Sequence, residues 1–136
     1  MNIPIDRSKW SVASQRSLAG CYDAATLYYE DIAYHCKKCG EPSVFSAVMQ
    51  QRIYEETQKF IAWQPSLCIS CENQREMLLE KINECRLSWQ NEKATLAMSS
   101  DFLLRWYYLL KEVEKYGRKG SNPSVVIMIT KLLRNL

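Results

Sequence analysis

The sequence contains no hydrophobic run long enough to cross a membrane. Its most apolar stretches, 102–110 and 125–133, each include a basic residue and are far shorter than the roughly 20 residues that a spanning helix needs. The first residues also lack the basic region followed by an apolar run that marks a secretory signal. We therefore expect a cytoplasmic protein without a membrane segment.

Residues and motifs typical of catalytic sites are also scarce. There is one histidine, His35, and the sequence has no glycine-rich phosphate loop, no nucleophile motif and no carboxylate pair at a recognisable spacing. These absences predict a protein that is not an enzyme.

The composition is that of an ordinary folded protein. The chain has 136 residues, of which 47% are hydrophobic and 24% charged, with a formal net charge of +3. This size and composition exclude a large multi-domain enzyme and a wholly disordered chain. We expect one domain over 1–136, with an N-terminal segment 1–30, a middle segment 31–72 and a helical region 73–136.

Four of the six cysteines form two CxxC pairs, Cys36/Cys39 and Cys68/Cys71, separated by the 28 residues 40–67. In a reducing compartment such pairs indicate metal binding more than disulfides. Zinc favours tetrahedral thiolate ligands, and two intervening residues let one tight turn present both sulfurs to one ion. Gly40 suits that turn because glycine adopts a positive φ angle without a Cβ penalty. The pattern predicts one structural Zn²⁺, bound by these four cysteines.

Other roles for the chemically active residues have weaker support in the sequence. A redox dithiol is a weaker reading, since neither pair begins a helix in a βαβ pattern. His35 could replace a cysteine as a ligand, but with four sulfurs available it is better placed as a neighbour. Cys85 lies at helical spacing from Ile82 and Trp89 and is predicted to be a core residue, while Cys21 has no CxxC partner.

The segment 28–75 combines several motifs: an acidic lead-in from Tyr29 to Tyr34, the first CxxCG, the segment Val44–Ala47, the glutamines at 50 and 51, and the closing CxxC. With these motifs it resembles a zinc-ribbon family of small, largely uncharacterised bacterial proteins. The chain departs from this pattern at Ile53 and Tyr54, and Glu72–Glu76 stands where relatives often carry an arginine-rich run. The resemblance implies metal binding without a known activity, and this departure weakens a nucleic-acid role.

The periodicity of apolar residues predicts an α+β, mainly helical fold. The zinc ribbon 31–72 should contain a short β-hairpin of 31–35 and 43–46, an inserted helix over 47–60 and a second knuckle over 66–71. A long helix and a C-terminal helical hairpin should follow, at 72–93, 102–116 and 123–133. Residues 1–12 read as irregular, and a short helix is expected within 14–29.

The predicted helix 102–116 has almost no polar side in its first half, which runs from Phe102 to Leu110. Such a helix must be covered on most sides, either by the rest of the chain or by a subunit interface. Trp106, Tyr107 and Tyr108 are of the residue types that dominate interface hot spots. We therefore expect a protein partner or a homodimer.

Basic residues concentrate at the C-terminal end, where 94–136 carries seven cations and three anions. A patch of these could contact nucleic acid: Lys111, Lys115, Arg118, Lys119, Lys131 and Arg134. A zinc ion held by four thiolates lowers the net charge from +3 to about +1, which suits a polyanion poorly. The sequence thus predicts a zinc-stabilised, non-catalytic protein-interaction module, with a zinc-ribbon nucleic-acid-binding protein as the alternative.

Overall fold

The computed structural model describes residues 3–17 and 25–136 and confirms a mainly helical α+β chain. The strands are β1 (Ile3–Pro4), β2 (Tyr28–Tyr29), β3 (Ile32–His35) and β4 (Pro42–Phe45). The α-helices are α1 (Val12–Arg16), α2 (Ala47–Gln51), α3 (Ile69–Leu96), α4 (Ser100–Val113) and α5 (Pro123–Arg134). Among the described residues, no helix combines the length and the apolar character that a membrane crossing requires.

The chain divides into two compact units, which are described separately. The N-terminal unit comprises 1–36 and 41–68, and the helical unit comprises 37–40 and 69–136. The single domain of three segments stays a prediction.

In the N-terminal unit, the predicted hairpin is formed by antiparallel β3 and β4. Ile32 pairs with Phe45 and His35 with Pro42, within one residue of the predicted strand ends. Ser46 then caps α2, because its side chain accepts a hydrogen bond from the Met49 backbone N–H. The inserted helix continues as a π-helix, Arg52–Glu56, and so ends earlier than the predicted residue 60.

The start of the chain differs from the expectation. Ile3 and Pro4 pair with Tyr29 and Tyr28 in an antiparallel ladder, and a 3₁₀ turn follows at Arg7–Lys9, so 1–12 is not simply irregular. In the described part of 14–29, where a short helix is expected, α1 covers 14–16, whereas 28–29 is strand. Short strands that pair across the sequence leave little local pattern. Residues 18–24 of that span, including Cys21, lie outside the described residues.

Aromatic rings fill the core of the N-terminal unit. The ring centroids of Phe45 and Tyr54 lie 5.9 Å apart in an edge-to-face arrangement. The buried members of this core are Trp10, Tyr29, Phe45, Ala47, Tyr54 and Ile61.

In the helical unit, the predicted long helix extends over Ile69–Leu96, with one non-helical residue, Glu92, at a kink. Ser99 caps α4 by accepting from the Phe102 N–H, and Asn122 caps α5 by accepting from the Val125 N–H. A 3₁₀ turn, Glu114–Tyr116, ends the second helix before Gly117, whose φ of 115° only glycine adopts readily. The predicted C-terminal helical hairpin is therefore confirmed.

Helix α4 packs between α3 and α5 and supplies most of the core of the helical unit. Leu103, Trp106 and Leu110 are buried against Cys85 and Trp89 of α3 and Ile129 of α5. The opposite side of α4 is open, because Leu104 and Tyr108 are 53% and 64% exposed. Within this unit the expected covering of α4 is thus only partial.

Candidate metal centre

The first CxxC pair lies in the turn that joins β3 to β4. Cys36 directly follows β3, and its backbone N–H donates to the Glu41 carbonyl oxygen at 2.9 Å, which closes the turn. Gly40 has a φ of 79°, as the spacing predicted. Apart from the adjacent residues, no atom lies within 4 Å of the position that a Cβ would take, so the need for glycine is conformational and not steric.

The second pair lies at the start of a helix and not in a separate knuckle. Cys68 immediately precedes α3, and Cys71 lies in its first turn, so the helix begins three residues before the predicted residue 72. The expected knuckle 66–71 is wrong in this respect. The first backbone N–H groups of a helix have no intrahelical acceptor and carry a partial positive charge, which stabilises thiolates placed there.

Tyr34 links the hairpin to the residues that precede the second CxxC pair. Its phenolic O–H, on β3, donates to the Leu67 carbonyl oxygen at 2.8 Å, directly before Cys68. Leu67 itself is buried. Sequence reasoning assigned Tyr34 no role, although the residue belongs to the pattern that carries the family resemblance. Because the two bonded residues are 33 positions apart, no local sequence pattern predicts this hydrogen bond.

Gln50 anchors the hairpin from the other side. Its side chain is fully buried, and its Nε2 donates to the carbonyl oxygens of Glu30 and Phe45, the latter at 2.8 Å. Asp31 accepts from the Ala47 N–H at 2.8 Å. These side chains hold the two ends of the hairpin against the start of α2, and so fix the strands that carry Cys36.

The structure brings the sulfurs of all four predicted cysteines together. The Sγ atoms of Cys36, Cys39, Cys68 and Cys71 all lie within 4.8 Å of one another. Zinc–sulfur bonds of about 2.3 Å in a tetrahedron place the sulfurs about 3.8 Å apart. The upper limit of 4.8 Å is close to this separation, so the donor set fits zinc.

The chemistry of the cluster is that of a structural site. Cys36 and Cys71 are buried, Cys68 is partly buried and Cys39 is exposed. Four thiolates satisfy the tetrahedral preference of Zn²⁺ and give a centre of net charge −2. When bound, the ion supplies a cross-link between chain segments that are distant in sequence.

Lys38, between the first two cysteines, contacts Tyr116 within the helical unit. Its Nζ lies 5.0 Å from the ring centroid of Tyr116, a cation–π distance. The Tyr116 hydroxyl donates to Gln74 Oε1 at 2.8 Å, and Arg75 donates to the Tyr116 carbonyl oxygen. Tyr116 thus fastens the knuckle tip to α3, a role that its place at the end of a predicted helix did not reveal.

Charges near the start of α3 are paired. Glu72 accepts both of its 2.6 Å hydrogen bonds from the Arg75 guanidinium. Glu76 accepts from Lys119 Nζ at 3.0 Å, and this hydrogen bond holds the pKa of the Glu76 carboxyl below its usual value.

Cys85 and His35 do not join the cluster. His35 is exposed on β3 and is not among the grouped metal-ligating side chains of the described residues. Cys85 is buried beside Trp89 in the core of the helical unit, and this burial raises the pKa of its thiol. Both therefore lie where the sequence placed them, outside the ligand set.

Comparison with known proteins identifies the segment that carries the centre. Residues 30–77, about a third of the chain, match a family model described as a probable treble clef domain. The comparisons with curated proteins and with solved structures gave no significant match. The matched segment contains all four clustered cysteines. Residues 30–77 are therefore similar to this treble clef family, and their four clustered cysteines support a structural zinc site.

Proposed function

We propose that this zinc-stabilised protein is a non-catalytic protein-interaction module, and that the helical unit supplies its contact surface. The observation that carries the proposal is the outer side of α4 and α5, which we call the α4–α5 face. It is formed by Leu104, Tyr107, Tyr108, Ile127, Thr130 and Leu133. Leu104 and Tyr108 are more than half exposed, and so is Ile127 at 55%.

The α4–α5 face exposes more apolar side chains than a helix surface that contacts only water usually does. Leu104 and Tyr108 lie one turn apart on α4, and Tyr107 lines a groove with Thr130 and Leu133 of α5. Contiguous exposed apolar patches mark interaction sites more often than isolated apolar residues do. Tyrosine also favours interfaces, because it buries a large ring at little cost in rotamer entropy.

One aromatic of the predicted contact set belongs to the core instead. Trp106 is buried, and its ring lies 5.6 Å from the rings of both Trp89 and Phe102. Tyr108 is exposed and Tyr107 is partly buried. The proposed contact surface therefore rests on the two tyrosines and on aliphatic neighbours that the sequence did not single out.

A non-catalytic role agrees with the metal centre. Four cysteine ligands leave no coordination position for a substrate or an activated water, which catalytic zinc sites keep open. Among the described residues, the four cysteines are the one group of three or more metal-ligating side chains close enough to share an ion.

Ion pairing argues against the nucleic-acid alternative. Of the six cations in the predicted basic patch, three are paired with glutamates: Lys111 with Glu114, Lys115 with Glu112 and Lys119 with Glu76. Paired cations release fewer counterions on binding a phosphate backbone, so they add less to affinity.

The test compares surface variants of the full-length zinc-loaded protein. Affinity capture from the host's own extract should recover a protein with the wild type and with Met77→Ser, an exposed apolar residue on α3. The double variant Leu104→Ser with Ile127→Ser should lose it. Sedimentation at several protein concentrations measures self-association, and so shows whether the partner is a second copy of the chain.

Two results would contradict the proposal. One is capture that the double variant leaves unchanged. The other is a strict monomer that binds single- or double-stranded oligonucleotides with a steep dependence on salt, which would favour the zinc-ribbon nucleic-acid-binding function.

A further inference from the structure

We infer, resting on the proposed function, that the α4–α5 face binds an acidic amphipathic helix of another protein. Eight of the twelve residues of α5, including Pro123, are apolar, yet the helix is poorly covered. Of its residues only Ile129 is buried, while Ile127 is exposed and the other aliphatic side chains are partly buried. A helix with this composition exposes apolar area that a partner can remove from water.

Two surface grooves run along α5, one on each side of its exposed ridge. The first is lined by Leu104 and Tyr107 of α4 with Thr130, Leu133 and Arg134 of α5. The second is lined by Ser124, Ile127, Met128, Lys131 and Leu132. Grooves beside a helix accept the side-chain ridge of another helix, which places its apolar residues at spacings of three and four.

The charge on this part of the face has one sign. Residues 115–136 contain five cations and no aspartate or glutamate. Each groove carries one cation, Arg134 or Lys131, and no carboxylate. Within residues 3–17 and 25–136, neither cation forms an ion pair with an aspartate or glutamate. Carboxylates flanking the apolar stripe of a partner would therefore find unpaired cations.

This charge pattern favours a foreign acidic partner over a second copy. A symmetric dimer through the same face brings the Lys131 and Arg134 of both copies to one interface. Along α4, Asp101 lies one turn before Leu104 and Glu112 one turn after Tyr108, but Glu112 is already paired with Lys115. This leaves one carboxylate per copy, Asp101, for two cations, whereas an acidic helix pairs with both.

The experiment uses a library of random peptides of about 16 residues, or about four helical turns, selected against the full-length zinc-loaded protein. We expect the enriched peptides to carry leucine-like residues at spacings of three and four, flanked by aspartate or glutamate. A chosen peptide should bind the double variant Lys131→Glu with Arg134→Glu about tenfold more weakly than the wild type.

Charge exchange makes the test specific. A peptide with lysines in place of its acidic residues should bind the wild type poorly and regain affinity for Lys131→Glu with Arg134→Glu. The neutral variant Lys131→Gln with Arg134→Gln covers the case in which charge reversal disturbs the end of α5. The matched control is Lys81→Glu with Arg86→Glu, two exposed positions on α3, which should leave binding unchanged.

The outcomes separate this inference from the proposed function. Enriched peptides that are neutral or basic, but still lose binding to Leu104→Ser with Ile127→Ser, overturn the acidic partner and leave the interaction module standing. Concentration-dependent self-association through the same residues does likewise. No enrichment, together with capture that the surface variant leaves unchanged, overturns both.

Discussion

The two units of this protein bury different kinds of side chain. In the N-terminal unit, the buried residues include Ser14, Gln50 and Glu55, each held by hydrogen bonds. Among the described residues of the helical unit, no polar or charged residue is buried to the same degree, and its core is apolar. The difference follows from element length, because strands of two to four residues and short helices cannot enclose a sufficient apolar core.

Different substitutions should therefore destabilise the two units. The N-terminal unit depends on directed bonds, namely the metal–thiolate bonds of Cys36 and Cys68 and the hydrogen bonds around Glu55. The helical unit depends on its buried apolar side chains. Substitutions on its surface, or the loss of a single polar contact, should therefore change its stability little.

The largest expected effect is removal of the metal. Chelation, or Cys36→Ser with Cys68→Ser, should abolish zinc binding, lower the melting temperature and make unfolding less cooperative, because metal-binding free energy on the order of 10 kcal/mol becomes folding free energy. The helices 69–134 should keep much of their far-UV circular dichroism. Elemental analysis should find one zinc per chain in the wild type and in the control Cys85→Ala. An apo form that melts at the same temperature as the holo form contradicts the structural role.

The next largest effect compares two neighbouring leucines on α4, whose replacement by alanine should lower the free energy of unfolding by very different amounts. Leu103 is fully buried and Leu104 is 53% exposed. Leu103→Ala should lower the free energy of unfolding by about 2–5 kcal/mol through lost transfer energy and a cavity, whereas Leu104→Ala should change it by less than about 0.5 kcal/mol. Urea titration followed by circular dichroism measures both. Equal costs would show that Leu104 is covered in solution.

A smaller effect tests the polar core of the N-terminal unit. The Tyr29 hydroxyl donates to Glu55 Oε2 at 2.7 Å and accepts from Trp10 Nε1 at 2.8 Å, and Glu55 also accepts from the Asp6 N–H. Tyr29→Phe should cost about 1–3 kcal/mol of unfolding free energy, because it removes a partner from buried polar groups. Tyr28→Phe, at the exposed neighbouring position, is the control and should cost almost nothing.

Gly40 should show a modest and conformational effect. A side chain at a φ of 79° is strained although the space around it is open. Gly40→Ala should therefore weaken zinc binding by about 1 kcal/mol, as measured by competition with a chromophoric chelator. Gly40→Asn should recover part of the loss, since asparagine tolerates the left-handed region better. Equal affinity for Gly40→Ala and the wild type would refute the strain argument.

The smallest effect concerns Cys85 in the helical unit. Burial raises the pKa of its thiol above the value of 9.0 for an exposed cysteine, so the folded protein retains the neutral form to higher pH. The stabilisation is present below the pKa of the unfolded thiol and is lost as the pH rises through the folded value. Alkylation with peptide mapping at pH 8 should label Cys85 only on unfolding. Rapid labelling of the native protein would mean that the core opens locally.

Local chemistry decided a large part of the fold from the sequence. The caps at Ser99 and Asn122, and the stop at Gly117, fixed the limits of α4 and α5 because each acts through the adjacent backbone. The CxxC pairs indicated which cysteines cluster, since two intervening residues already place two sulfurs close together. The strands β3 and β4 followed from short alternating segments on either side of a turn.

Tertiary structure alone decided the rest. No local sequence pattern predicts the pairing of β1 with β2 or the hydrogen bond from Tyr34 to Leu67, because each joins residues far apart in sequence. Consecutive aromatics on α4 point about 100° apart, and only the positions of α3 and α5 decide that Trp106 is buried and Tyr108 exposed. The sequence by itself determined that the protein binds a metal and is mainly helical. Which apolar residues remain on the surface for a partner depended on the packing of the helices, because burial is a property of neighbours and not of the residue itself.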